Sequence, residues 1–182
     1  MKYLKTYEQV NSMNLIKAAK DYDLKKIKEL IKAGVNLDTQ DYFGNTALIM
    51  ASYKNNMEIV KELIKAGANL DLQDNRRNTA LIWASRNHHI DIVKELIKAG
   101  ANLDLQDNAG YTALIKASFD NYIDIVKELI KAGADWNLKD NDNNSDFLYY
   151  LTYFNWENKI IEEFPEEYKN YLLKKDAEKY NL

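Results

Sequence analysis

At 182 residues, with 46% hydrophobic and 29% charged residues, one proline and six glycines, the chain has the make-up of a folded soluble protein and is too short for several domains with separate cores. The lack of cysteine excludes disulfides, thiolate metal sites and thiol nucleophiles. A formal charge of −3 argues against a dedicated nucleic-acid binder, whose affinity rests on neutralising phosphates, and no apolar run is long enough to cross a bilayer.

In chain order, Met1, Lys2, Tyr3, Leu4 and Lys5 lack the apolar stretch of a signal peptide, so a cytoplasmic location is expected. Leu15, Ala18, Ala19, Leu24, Ile27, Leu30 and Ile31 then recur at helical spacing, while Lys17, Lys20, Lys25, Lys26 and Lys28 make one flank polar. This pattern predicts an N-terminal capping unit over 1–40. From there the chain repeats itself: the run from Ile59 to Asn75 returns unchanged as Ile92 to Asn108, and most of it returns again from Ile125, a shift of 33 residues each time.

Each repeat reads as two short helices and a turn. Thr46, Thr79 and Thr112 are the expected N-caps of first helices ending near Tyr53, Arg86 and Phe119. Ile92, Val93, Leu96 and Ile97 mark a second helix that stops at Gly100, and the polar run that follows projects as an extended turn. Such a helix pair cannot bury its apolar stripe alone, so neighbouring copies must supply the other wall, as in a solenoid. Internal repeats are placed at 41–73, 74–106 and 107–139. A degraded copy, its signature starting at Ser145, follows over 140–165, carrying Phe147, Leu148, Tyr150, Leu151, Phe154, Trp156, Ile160, Ile161 and Phe164. After Pro165, a polar helix is expected from Glu166 to about Lys179, within a terminal unit at 166–182.

The 33-residue period, the Thr-Ala-Leu-Ile-x-Ala signature and the Gly-Ala-Asn-Leu-Asp linker resemble ankyrin repeats across roughly residues 10 to 140. The resemblance implies an all-α ankyrin-repeat solenoid of about five helix-turn-helix units, with projecting β-turn fingers, atypical capping repeats and a C-terminal extra helix. The sequence departs from the family where proline gives way to Ala47, Ala80 and Ala113, and histidine to Ile49, Ile82 and Ile115. Apolar burial between first helices should replace the threonine–histidine hydrogen bond there.

No nucleotide loop, nucleophile elbow or zinc helix occurs, and neither a cofactor nor a metal is expected. His88 and His89 are adjacent on a turn and should diverge; His88 occupies a position that is Asn55 and Asn121 in its neighbours, which points to positive φ rather than catalysis. The lysines of the second helices alternate with Glu29, Glu62, Glu95 and Glu128, as on a solvated, salt-bridged face. The repeated aspartates Asp38, Asp41, Asp71, Asp74, Asp104 and Asp107 lack calcium-loop spacing and should bond turn backbone.

Residues that vary while the scaffold repeats mark where one unit's surface differs from the next. These are Tyr42, Phe43, Asn75, Arg76, Arg77, Asn78 and Tyr111 in the turns, and Tyr53, Trp83, Arg86 and Phe119 late in the first helices. The ankyrin resemblance implies that they line a concave partner-binding face, and tryptophan, tyrosine and arginine are enriched among binding hot spots. All three arginines fall in the third repeat. Arg77 stands where the neighbouring turns have Gly44 and Gly110, which predicts an arginine held at positive φ.

The expected function is a non-catalytic, monomeric module that binds a folded protein, one bearing an acidic patch, without nucleic acid or membrane. An alternative is a small inhibitor or immunity-type protein that blocks a partner enzyme. A second alternative, from a different class, is an enzyme or small-ligand binder built around Tyr149, Tyr153, Trp156 and Tyr168.

Overall fold

The computed structural model describes residues 13–141, 147–166, 168–170 and 173. Short helices alternate along them: α1 (13–20), α2 (Leu24–Lys32), α3 (Ala47–Tyr53), α4 (Met57–Lys65), α5 (Ala80–Arg86), α6 (Ile90–Lys98), α7 (Ala113–Phe119), α8 (Ile123–Lys131), α9 (Phe147–Tyr153) and α10 (Glu157–Glu163). The described residues contain no strand. The first helices α3, α5, α7 and α9 pack in consecutive order, and so do the second helices α2, α4, α6 and α8. The result is the helix-pair solenoid that the period requires.

Local chemistry sets each boundary. Thr46, Thr79 and Thr112 Oγ1 accept from the backbone N–H of Ile49, Ile82 and Ile115 at 3.1, 3.1 and 3.2 Å, satisfying one orphan donor per helix. Between the helices of each pair the chain turns through a left-handed residue: Tyr22, Asn55, His88, Asn121 and Asn155 have φ of 61, 59, 57, 63 and 55°. Asparagine tolerates this region best, and His88 is there for the same backbone reason. Beyond α6, Gly100 takes φ +87°, as its place after the helix predicts.

Ile49, Ile82 and Ile115 are buried between first helices, where the family histidine would otherwise bond the cap. The stripe Ile92, Val93 and Leu96 is closed by the neighbouring second helices, each side chain contributing roughly 1.5–3 kcal/mol when fully enclosed. Lysines and glutamates on the outer helices pair mainly between repeats: Lys28 with Glu62 at 3.4 Å, Lys94 with Glu128 at 3.7 Å, and Lys127 with Glu163.

At the C-terminal end Trp136, Phe147, Leu151, Trp156, Ile160, Phe164 and Tyr168 are buried as a continuation of the core. The period lengthens here. Helix α9 starts 34 residues after α7, and left-handed Asn155 lies 34 after Asn121, so the last unit carries one extra residue relative to a copy starting at Ser145. Ser145 itself and the expected terminal helix beyond residue 173 lie outside the described residues, as do residues 1–12. Helical backbone is present at 165–166, 168–170 and 173.

Candidate partner-binding surface

Three fingers lie wholly within the described residues, each shaped by one aspartate. Asp41 Oδ1 accepts from Phe43 and Asn45 N–H at 2.9 and 2.8 Å, Asp74 from Arg76 and Asn78 at 2.9 and 2.8 Å, and Asp107 from Ala109 and Tyr111 at 2.8 and 2.9 Å. This is the local turn bonding expected of these residues. Asp38, Asp71 and Asp104 behave differently. Their carboxylates reach forward to the backbone N–H of Asn69, Asn102 and Asp135 at 2.8, 2.9 and 2.9 Å, stitching one repeat to the next. Gln40, Gln73 and Gln106 add a second seam, each Nε2 donating to a carbonyl of its own finger and to the carbonyl of residue 73, 106 or 139 of the next repeat.

The finger tips are also bonded to one another. Asn75 donates its backbone N–H to Phe43 O and its Nδ2 to Tyr42 O, both at 2.9 Å. Asn108 repeats the pattern to Arg76 O at 2.9 Å and Asn75 O at 3.2 Å, and Asn141 to Ala109 O at 3.0 Å and Asn108 O at 2.8 Å. This close stacking explains the glycines. A Cβ on Gly44 would lie 2.6 Å from Asn75 N, and one on Gly110 2.6 Å from Asn141 N. Arg77 occupies the equivalent position with φ +60°, and it is beneath this finger that the Asn108 Nδ2 bond is the longest of the three.

Apart from Tyr111, which is partly buried against Lys116, the expected site residues divide into three groups. Tyr42 and Phe43 are 88% and 66% exposed at one tip, their rings edge to face at 5.4 Å, with Asn75 and the exposed Arg76 and Arg77 on the next finger. Tyr53, Arg86 and Phe119 form a row of exposed side chains at the C-terminal ends of α3, α5 and α7. The third group faces inward. Asn78 is only 2% exposed, with Nδ2 turned to Asp74 at 3.3 Å, so it holds the finger and is not available to a partner. Trp83 is half-buried: its Nε1 donates to Asp74 Oδ2 at 2.9 Å, Tyr53 meets its ring edge to face at 5.1 Å, and the Arg86 guanidinium sits 5.3 Å from its centroid. Only part of its ring faces outward.

Lys116, one repeat on, takes the place of Trp83. Its Nζ lies 3.9 Å from Asp107 Oδ2 and 4.0 Å from the centroid of Tyr111, with the side chain 12% exposed. Burial pushes its pKa below 10.5; Asp107 and Asp120 oppose that shift and the Arg86 guanidinium adds to it. Burial likewise raises the Asp120 carboxyl, against the pull of Lys116 and Arg86. The sequence signal for the role of Lys116 is spacing: Trp83 and Lys116, both donors, each follow a finger aspartate by nine residues.

The histidines do diverge. His88 Nε2 meets both oxygens of Asp124 at 2.9 Å and its ring stacks on Tyr122 at 4.2 Å, whereas His89 Nδ1 lies 2.9 Å from Ser52 O. Both tie neighbouring repeats together. In the aromatic C-terminal region, Trp156 and Tyr168 belong to the core. The Tyr168 hydroxyl donates to Glu157 Oε1 at 2.6 Å, and its pKa is pushed up to about 12 by burial and by that bond. Among the described residues no group of three or more His, Asp or Glu is placed to hold a metal ion, and no helix is long and apolar enough to cross a membrane.

A comparison with curated proteins finds no match. A comparison with protein families matches the chain to ankyrin repeats (3 copies), over residues 15–107 and 67–140. That span takes in α2 to α8 and the fingers between them, and the chain belongs to the ankyrin-repeat family.

Proposed function

We propose that the protein is a non-catalytic binding module that recognises a folded protein with an acidic patch, using its finger tips and the helix-end row Tyr53, Arg86 and Phe119. Ankyrin repeats are in general protein–protein interaction modules. The observation that carries the specific reading is the charge of the tips. Among residues 42–44, 75–77 and 108–110, Arg76 and Arg77 are the only charged side chains, on a chain whose formal charge is −3. Neither arginine side chain makes a hydrogen bond or ion pair among the described residues, so both remain available to a carboxylate.

Exposed aromatics flank these cations, and the helices and fingers beneath are bonded from repeat to repeat. Little conformational freedom is then lost on binding. The test is affinity purification from the producing cell with the intact chain against Arg76→Glu, Arg77→Glu and Arg86→Glu combined. The triple variant should keep its helical circular dichroism and lose a specifically retained protein. Retention of the same protein by both would move the interface elsewhere, and retention of none by either would overturn the binding reading.

A further inference from the structure

The most exposed aromatic pair in the described residues does not line a groove. Tyr42 and Phe43 stand at the tip of a finger, 88% and 66% exposed, with only each other's ring in edge contact. Apolar groups that project this far can be buried only by a partner that closes around them. Nor is the tip free to fold back: Asp41 holds the Phe43 N–H, and Asn75 of the next finger bonds both Tyr42 O and Phe43 O. That next finger carries Arg76 and Arg77, one repeat away, a spacing of about 8–10 Å for packed helices.

Arg77 is kept there against the backbone. It is held at φ +60° in a position where both neighbouring fingers have glycine, and where an added Cβ would crowd the asparagine of the next finger in each case. Unlike the left-handed residues between helices, Arg77 stands where its counterparts are glycine, and strain at such a place is a reason to look for function there.

We propose that the 41–45 and 74–78 fingers act as one rigid edge that enters an apolar cleft rimmed by carboxylates on a folded protein. Phe43 and Tyr42 fill the cleft, and Arg76 and Arg77 pair with its rim. The inference rests on the binding-module reading above and narrows its surface, finger tips and helix-end row together, to the edge formed by these two fingers. An anionic lipid surface offers similar chemistry, but two arginines on a chain of formal charge −3 give too small a basic patch for stable membrane attachment, which takes a cluster of basic residues.

The experiment places photo-reactive p-benzoylphenylalanine at position 43 or, separately, at position 119 of the full chain. The protein cross-linked in the producing cell is identified, purified and titrated against variants. Cross-links from position 43 should map to a concave region bordered by Asp or Glu. Phe43→Ser and Arg77→Glu should each weaken binding by roughly tenfold or more with no fall in unfolding midpoint. Cross-links confined to position 119, with Phe43→Ser binding normally, would overturn the edge and leave the module reading intact. No cross-linked protein from either position would overturn both. Co-sedimentation with equimolar phosphatidylserine–phosphatidylcholine vesicles, lost in Phe43→Ser, would replace the protein cleft with a lipid surface.

Discussion

The indole N–H of Trp83 donates to the carboxylate of Asp74 at 2.9 Å, tying the first helix of the third repeat to the finger that precedes it. Asp74 is nearly buried and already accepts from Arg76 and Asn78 N–H, so this side-chain donor completes its coordination. Trp83→Phe keeps the ring and deletes the donor. It should lower unfolding free energy by about 1.5–3 kcal/mol, the range for hydrogen bonds to charged groups. Trp83→Lys, the solution used at Lys116, should lose less. Urea unfolding of the two variants decides, and equal stability of Trp83→Phe and wild type would remove the bond from the account.

Arg77→Gly should stabilise the fold by about 1 kcal/mol through relief of the left-handed conformation, while weakening partner binding. Gly110→Ala, at the equivalent position, should destabilise by more than that, because its Cβ would meet backbone nitrogen at 2.6 Å. Thermal melts of the pair read both signs. A glycine variant no more stable than wild type would mean that the finger absorbs the side chain without strain.

Lys116 gives a pH dependence with a definite sign. Its folded pKa is lowered, chiefly by burial, so the folded state binds fewer protons than the unfolded state between that value and 10.5. Its contribution to stability therefore rises with pH across this window. Asp107, Asp120 and Arg86 surround it, the two carboxylates opposing the shift and the guanidinium adding to it. The stability difference between wild type and Lys116→Met should shift in favour of wild type as pH climbs toward 10.5. A difference independent of pH would show that the ammonium is fully solvated.

Gln73 Nε2 donates to Arg77 O at 2.7 Å and Gln106 O at 3.0 Å, serving its own finger and the next. Gln73→Ala should cost about 1–2 kcal/mol, and hydrogen exchange at Asn108, whose N–H bonds Arg76 O, should quicken in step. Unchanged protection at Asn108 would show that the tip bonds hold without the glutamine seam.

Removal of residues 145–182 takes away Phe147, Leu151, Trp156, Ile160 and Phe164, the buried residues that close the array beyond α7 and α8. The truncated chain should aggregate, or melt lower by roughly 5 °C or more. A truncated chain as soluble and stable as the full one would make that region an appendage.

Helix boundaries, caps and the stacking order were legible because the period superimposes several copies of each signal: Thr46, Thr79 and Thr112 report the same cap three times. Single exceptions were not. Asp71 resembles any turn aspartate, and nothing local says that its partner is Asn102, 31 residues on. Asn78 and Trp83 vary as surface residues do, yet one closes on Asp74 and the other bonds it, because the finger folds back over its own helix. The extra residue in the last unit was hidden for a chemical reason. Ser145 and Asp146 are both good N-caps, and propensity cannot choose between neighbours.

The seams at Asp71, Gln73 and His89 share a property with consequences for how the chain reaches this state. The most widely separated hydrogen-bond partners among the described residues, His89 and Ser52, are 37 positions apart, so each bond between described residues joins a unit to itself or to the next one along. Such a topology has low contact order for its length, and structure can spread outward from any adjacent pair of units that forms first. The centre of the array is braced on two sides and each end on one, so amide protection should grade along the chain, deepest in α5 to α8. A further copy of residues 74–106 would meet a ready partner for each of its stitching groups.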